Sequence, residues 1–497
     1  MKHTFIYIAF ASSLLLSSCT GDWLNINPST AVTSGQAITN LEDAQVALNG
    51  IYRVASAHSY YGDNYLYYGD CRAEDVQARV SKSSGGRVSP YYEYNAIATD
   101  AFNITRVWNQ PYIVIHQANS LIENIDGGSV ITNNAPELAR IKAEALAMRG
   151  LALFNLTQMF GMPYTLNNGS SLGVPIETKS TDPTHQPARN TVAECYAQVI
   201  KDMTDALPSL STTQHNGYQN QWSVKALLSR IYLNMNDNTN ALKYAREVID
   251  NGGLYTLFTH EEYPTVWGKD FSSESLFEFY FTLSEPSGGT GGEGAPMVYA
   301  DNVKDWNNLV LTKAFLDLLN EDPDDVRHTL TRLPQDPEKD VFPTGSTGQP
   351  KYLAKYPGKT GDVLTGNPQD NDICVIRLSE VYLNAAEAAF KLGGEHLAEA
   401  RTYLNAIVSR ANPAKSVSEQ ELTLERILKE RRKELVGEGL ALFDYLRNGK
   451  SVHRQGGWHL LSLPVDATTI APTDLRLALP IPQTEIDANP NMVQNPR

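Results

Sequence analysis

The 497-residue sequence predicts a mainly α protein in which antiparallel helix pairs stack into a superhelix with long irregular loop excursions. Three observations lead there. Apolar residues recur at helical spacing in segments that come two by two. Small residues stand where paired helices would face each other. Long stretches without helical periodicity separate the pairs, and such stretches carry function more often than framework.

The elements follow in order. Leu41 to Tyr52 has Ala44, Leu48 and Tyr52 at a spacing of four. Val107 to Ile125 carries Ile113, Ala118, Leu121, Ile122 and Ile125. Leu138 to Phe160, with Ile141, Ala145, Met148, Ala152 and Leu156 in register, partners Thr191 to Leu207 across the Pro- and Gly-bearing insertion 161–187. Trp222 to Asn236 pairs with Asn240 to Asn251. Leu378 to Leu392 pairs with Glu395 to Ala411 across Gly393-Gly394, with Ala385, Ala386 and Ala389 set to meet Ala398 and Ala400. Glu419 to Leu446 supplies a further unit. One pair cannot bury its own apolar face, so several must stack, as in tetratricopeptide (TPR) repeats, which these pairs resemble with irregular spacing. The intervening regions Ser56–Asp100, Leu254–Asn308 and Pro323–Asp372 read as irregular, with one strand at Ser275 to Leu283.

The stretch Glu425 to Gly449, ERILKERRKELVGEGLALFDYLRNG, is the most informative. Its first half is rich in helix formers, with Ile427, Leu428, Leu435 and Val436 on one side, and Gly437 and Gly439 end the helix. Glu430, Arg431, Arg432, Lys433 and Glu434 are spaced to pair along the turns. ERRKEL followed by GEGLALFDYLRNGK resembles the C-terminal signature of the SusD/RagB family. So do IRLSEVYLNAAEAAFKLG (Ile376–Gly393) and ALPIPQTEIDANPNMVQNP (Ala478–Pro496). The resemblance implies a surface lipoprotein of a Bacteroidetes-type Gram-negative bacterium. It also implies a partner, a SusC-like TonB-dependent outer-membrane barrel, and an oligosaccharide ligand, a peptide being the first alternative. The chain ends at Gln494-Asn495-Pro496-Arg497, where relatives often continue with Gly-Tyr. These strings build a fold and do not name a ligand.

Residues 1–18 read as a signal peptide: Lys2, an apolar run from Phe5 to Leu16 too short to span a bilayer, then small residues. Leu16-Ser17-Ser18-Cys19 looks like a lipobox, so Cys19 is the expected lipidation site and 19–40 the tether. Residues 41–265 and 266–497 form N- and C-terminal parts of one fold. Once Cys19 is lipidated, Cys71, Cys195 and Cys374 allow at most one disulfide; buried thiols are the simpler reading. A net charge of −15 argues against nucleic acid.

Tyrosine is the compositional anomaly. There are 25 Tyr against 14 Phe, and nine of them fall between Tyr52 and Tyr94, where an even spread would give about two. Ring faces pack on sugar C–H groups while hydroxyls and amides bond sugar hydroxyls. The expected ligand-binding residues are therefore Tyr91, Tyr92, Tyr299, Asp301, Asn302 and Trp306, converging on one exposed platform, with Trp108 structural. Glycines 289, 291 and 294 match GxGxxG, but APMVYADN after them does not read as a helix, so a loop is expected rather than a phosphate cradle. Neither HExxH nor GxSxG occurs. No catalytic residue, cofactor or metal is expected. A lipid-anchored glycoside hydrolase and a protein-binding TPR scaffold are the rival classes.

Overall fold

The computed structural model describes residues 38–78, 85–182, 184–287, 294–300, 308–333, 351–362, 365–454, 459 and 463–497. The chain is mainly α. Its principal helices are α1 (Leu41–Ala55), α2 (Asn64–Cys71), α3 (Arg106–Asp126), α4 (Ala135–Phe160), α5 (Val192–Ala206), α6 (Gln221–Asn234), α7 (Asn238–Ile249), α8 (Leu378–Leu392), α9 (Leu397–Ala411), α10 (Leu424–Leu435) and α11 (Ala441–Arg447). Helices α4 and α5, α6 and α7, and α8 and α9 pack as the expected pairs; α3 lies on α4, and α7 lies on α8, so the pairs form one stack.

Local chemistry sets the ends. The Asn40 side chain caps α1 by accepting from Asp43 N–H. Thr191 and Glu194 form a reciprocal capping box on α5. Gly393, at φ +70°, ends α8 in a conformation that favours glycine. The small residues Ala385, Ala386, Ala389 and Ala400 are buried at the α8–α9 joint, whereas Ala398 faces solvent. Ile113, expected inside, is 43% exposed.

Ion pairs cross the joints as well as apolar packing. Arg149 of α4 bonds Asp202 of α5 through Nε and Nη2 at 2.8 and 2.6 Å. Arg230 of α6 grips Glu380 of α8 the same way at 2.6 and 2.5 Å. Arg447 of α11 does so with Glu387 of α8 at 2.9 and 2.5 Å. Each is a two-pronged guanidinium–carboxylate contact, which fixes orientation as well as distance.

The signature helix α10 corrects one expectation. Its charges were read as pairing along the helix, but most reach other elements. Arg431 bonds Asp444 at 2.9 and 3.0 Å and the Asn384 amide oxygen at 2.8 Å. Arg432 reaches Asp75. Glu434 is buried and meets Arg410 at 2.7 Å, Arg377 at 2.8 Å and Arg327 at 3.3 Å. Burial alone would push its carboxyl up, but Arg410, Arg377 and Arg327 outweigh that and hold it well below the usual carboxylate range. Only Glu430 keeps an i,i+4 partner, Arg426, and it also meets Arg327.

The region 56–100, read as irregular, in fact contains α2, the strand β1 (Val76–Ala78) and a short helix Gly85–Tyr92. The expected strand at 275–283 is β2 (Ser275–Phe279). It pairs antiparallel with β4 (Ile373–Arg377), and β1 pairs antiparallel with β3 (Leu309–Leu311). Among the described residues, no helix is long and apolar enough to cross a membrane. Cys71, Cys195 and Cys374 are free thiols.

Candidate ligand-binding site

The tyrosines gather around α2, a helix whose residues are all buried. Its apolar moment is weak because it has no solvent face to distinguish. Gly69 permits this: a Cβ there would overlap the Gly439 carbonyl, so the helix backbone lies directly on the signature turn. Gly437 and Gly439, at φ +84° and +77°, make that turn.

Asp70 ties α2 both to the signature turn and to Tyr299. Its carboxylate accepts from Gly439 N–H at 3.1 Å, Ala441 N–H at 3.4 Å and the Tyr299 hydroxyl at 3.0 Å. Burial pushes the Asp70 carboxyl up to about 7 against the pull of those hydrogen bonds. Tyr299 also stacks on Tyr356 with ring centres 5.7 Å apart.

Tyr91 packs edge-on to Tyr68 and donates its hydroxyl to the Asn103 carbonyl at 2.5 Å. Tyr92 stacks on His459, and Arg454 lies over its ring at 4.6 Å. The Tyr92 hydroxyl lies 2.8 Å from His459 Nδ1, and His459 Nε2 lies 3.2 Å from the Glu74 carbonyl. Burial, helped by Arg454, pushes the His459 imidazole down to about 3. The ring is therefore neutral, donating from Nε2 and accepting the hydroxyl at Nδ1.

These contacts correct the expected platform. Tyr91 and Tyr92 are 0% exposed and Tyr299 is 1% exposed. Their rings are occupied by other side chains and their hydroxyls by protein acceptors, so no ring face is offered outward. Tyr60, Tyr61, Tyr65, Tyr67 and Tyr68 are buried in the same core. The tyrosine excess thus builds an amphipathic core, suited to a region that must bury polar handles as well as rings. Asp301, Asn302 and Trp306 lie outside the described residues, as does Cys19. Ala295–Tyr299 does form a short helix, contrary to the reading of APMVYADN. Trp108 is structural as expected: it is buried edge-on against Phe160, with centres 4.8 Å apart.

What the fold brings together is the ends of two loops. In the β1–β3 ladder Ala78 stands opposite Leu309. The chain therefore leaves the ladder toward 79–84 next to the point where it arrives from 301–307. Asp70, Tyr356, Arg454 and His459, which hold the tyrosines in place, were missed by sequence reasoning, because each acts through partners hundreds of residues away or in another loop.

Comparison with known proteins agrees with this architecture. The SusD family profile matches residues 145–497. A second profile, described as "Starch-binding associating with outer membrane", matches residues 22–233. A solved SusD superfamily protein from Bacteroides thetaiotaomicron is 60% identical, with 92% of this chain and 100% of that chain covered and a TM-score of 0.88. A laminarin binding SusD-like protein of known structure is 25% identical, with 92% and 99% covered and a TM-score of 0.72. SusD-like protein P25 of Formosa agariphila is 24% identical, with 97% of this chain and 96% of that protein covered. A profile match over residues 145–497, with a solved relative of the same fold at that level of identity, shows that this chain belongs to the SusD family.

Proposed function

We propose that this chain captures an oligosaccharide at the outer surface of an outer membrane and delivers it to a TonB-dependent, SusC-like barrel. It is held at the membrane by lipid on Cys19, and it performs no chemistry on its ligand. The observation that carries the reading is the β1–β3 register. Because Ala78 faces Leu309, segment 79–84 begins beside the point where segment 301–307 ends, both at residues of the buried cluster that holds the tyrosines. The second segment contains Asp301, Asn302 and Trp306. A broad ring with an acid and an amide beside it is the chemistry of sugar recognition: the ring face takes C–H groups, and the acid and amide take hydroxyls. The buried tyrosines then serve as the support and not as the contact surface. Similarity to a laminarin binding SusD-like protein and to a profile for starch-binding proteins associating with the outer membrane supports the ligand class and the location.

Calorimetry with laminarin and malto-oligosaccharides, on the intact chain and on Trp306→Ala, tests the reading. Removing a true anchor ring costs at least about 2 kcal/mol, roughly thirtyfold in affinity. Binding by the variant equal to that of the unmodified chain rejects the site. Failure of all glycans alongside capture of peptides moves the assignment to a peptide-importing member of the family.

A further inference from the structure

A cleft of about 520 Å³ opens where the end of α9 and the turn after it face α10 and the segment around Asp325. This is within the size range of small-ligand sites. Its polar groups divide unevenly. Every acid lining it already has a donor. Arg327 holds Asp325 at 2.8 and 2.6 Å, and Arg426 holds Glu430 at 2.6 Å. The Asn412 amide bonds both oxygens of Asp322, at 3.0 and 2.9 Å. Lys429 holds Glu321 at 2.8 Å, Lys450 holds Glu425 at 2.6 Å, and Ser418 bonds Glu421 at 2.8 and 2.7 Å.

The donors are not used up. The Lys433 side chain is 7% exposed, and its nearest carboxylate oxygen, on Asp325, is 3.9 Å away, beyond hydrogen-bond reach. Its ammonium has three N–H groups and, among the described residues, no protein acceptor for them. Burial pushes the Lys433 ammonium's pKa down, more than Glu430 and Asp325 hold it up. Lys415, exposed at the rim, likewise has no carboxylate within ion-pair distance among the described residues. The Lys433 ammonium, with no protein acceptor among the described residues, is met best by a ligand oxygen that accepts hydrogen bonds, and most strongly by a charged one.

We propose that this cleft is a second binding site, taking the carboxylate of a small acidic ligand, with Lys433 as the buried contact and Lys415 at the rim. The carboxylate could belong to a uronic sugar or to a simple organic acid, and the two sources are separable. Calorimetry at fixed ionic strength would use sodium D-glucuronate, sodium acetate and D-glucose on the intact chain, on Lys433→Gln and on Lys415→Ala. Glucuronate should bind and glucose should not. Lys433→Gln should weaken binding by about tenfold or more, the usual effect of deleting a charged hydrogen bond. Lys415→Ala, at an exposed position that does not endanger the fold, should weaken it by about threefold. Acetate bound as tightly as glucuronate supports a site for any small carboxylate; glucuronate bound more tightly supports a sugar acid. Glucose bound as well as glucuronate, neither acid bound, or both variants behaving like the unmodified chain overturns the proposal. Trp306→Ala should leave glucuronate affinity unchanged, so this site stands or falls apart from the aromatic one.

Discussion

Arg377 and Glu434, 57 positions apart, meet as a buried ion pair with Nη1 2.8 Å from Oε1. Arg377 closes β4 immediately before α8, and Glu434 lies near the end of α10. The same guanidinium bonds Glu274 at 2.9 Å and Glu438 at 2.8 Å, and it donates to the Glu434 carbonyl at 2.9 Å. The signature is therefore a joint between the helix stack and the C-terminal turn, well supplied with hydrogen bonds and closed to solvent.

Replacing Glu434 by Ala leaves Arg327, Arg377 and Arg410 facing one another with too little negative charge between them. Removing one partner of a buried ion pair costs about 3–5 kcal/mol. Denaturant unfolding should show a loss of that size, with glycan affinity of the folded fraction unchanged. Unaltered stability together with lost binding would make the signature a ligand site instead.

The pH dependence follows from the sign of the shift. The Glu434 carboxyl is depressed in the fold from an ordinary value of 4.5. Its contribution is therefore complete above about pH 4.5 and is lost as the pH falls below it toward the folded value. Melting temperature should drop on acidification through this range, and less steeply in Glu434→Gln than in the unmodified chain.

Asp70 behaves in the opposite sense. Its folded value is raised from 3.8 to about 7, so the folded state binds the extra proton and stability declines as pH rises between those values. The stability of Asp70→Asn relative to the unmodified chain should improve from pH 5 to pH 8. A difference that stays constant across that interval would show that Asp70 does not titrate there.

The corrected tyrosines separate from the proposed contact residue by a simple comparison. Tyr92→Ala removes a buried ring held by His459 and Arg454. Truncation of a core aromatic costs about 3–5 kcal/mol. Trp306→Ala should instead lower glycan affinity with the unfolding free energy intact. The reverse pattern in the two variants would restore Tyr92 as a ligand contact.

Anchoring is read out by fractionation. If the proposed lipid on Cys19 is the anchor, Cys19→Ala should leave the membrane fraction, because stable anchoring needs acyl chains. Retention of the variant after a salt wash, in cells lacking the transporter, would refute the lipid anchor.

Helices and their pairing were legible because periodicity reports burial on one face. Leu378–Leu392 was read to the residue, and Thr191 was placed at the edge of its helix, where it is the cap. Helix α2 was not legible. All its side chains are buried, so NYLYYGDC shows no alternation between apolar and polar faces. The tyrosine cluster was visible as composition, but composition cannot say whether a ring turns outward. That was decided by acceptors such as Asn103 O and His459 Nδ1, which lie near the rings only in the folded chain. For the same reason the sequence placed Arg431 and Glu434 in the framework, pairing along the helix and joining helices, but could not name their partners, which lie on α8 and α11 for Arg431 and on β4, α9 and Arg327 for Glu434.

The seating of Gly69 on Gly439 has a consequence for the order of events during biosynthesis. Asp70 finds its acceptor-hungry N–H groups 369 and 371 residues downstream, and Asp75 finds Arg432 357 residues downstream. Contacts at such separation are slow to form, since the closure entropy comes before the reward. Helix α2 thus has no finished surroundings until nearly the whole polypeptide has emerged, and the chain in transit carries an open aromatic segment near its beginning. Under the export proposed above, a chain built this way would need escort more than one that completes its domains from the N-terminus. A chain truncated before Gly437 should accordingly be cleaved between residues 56 and 78 by a protease that leaves the full-length protein untouched there.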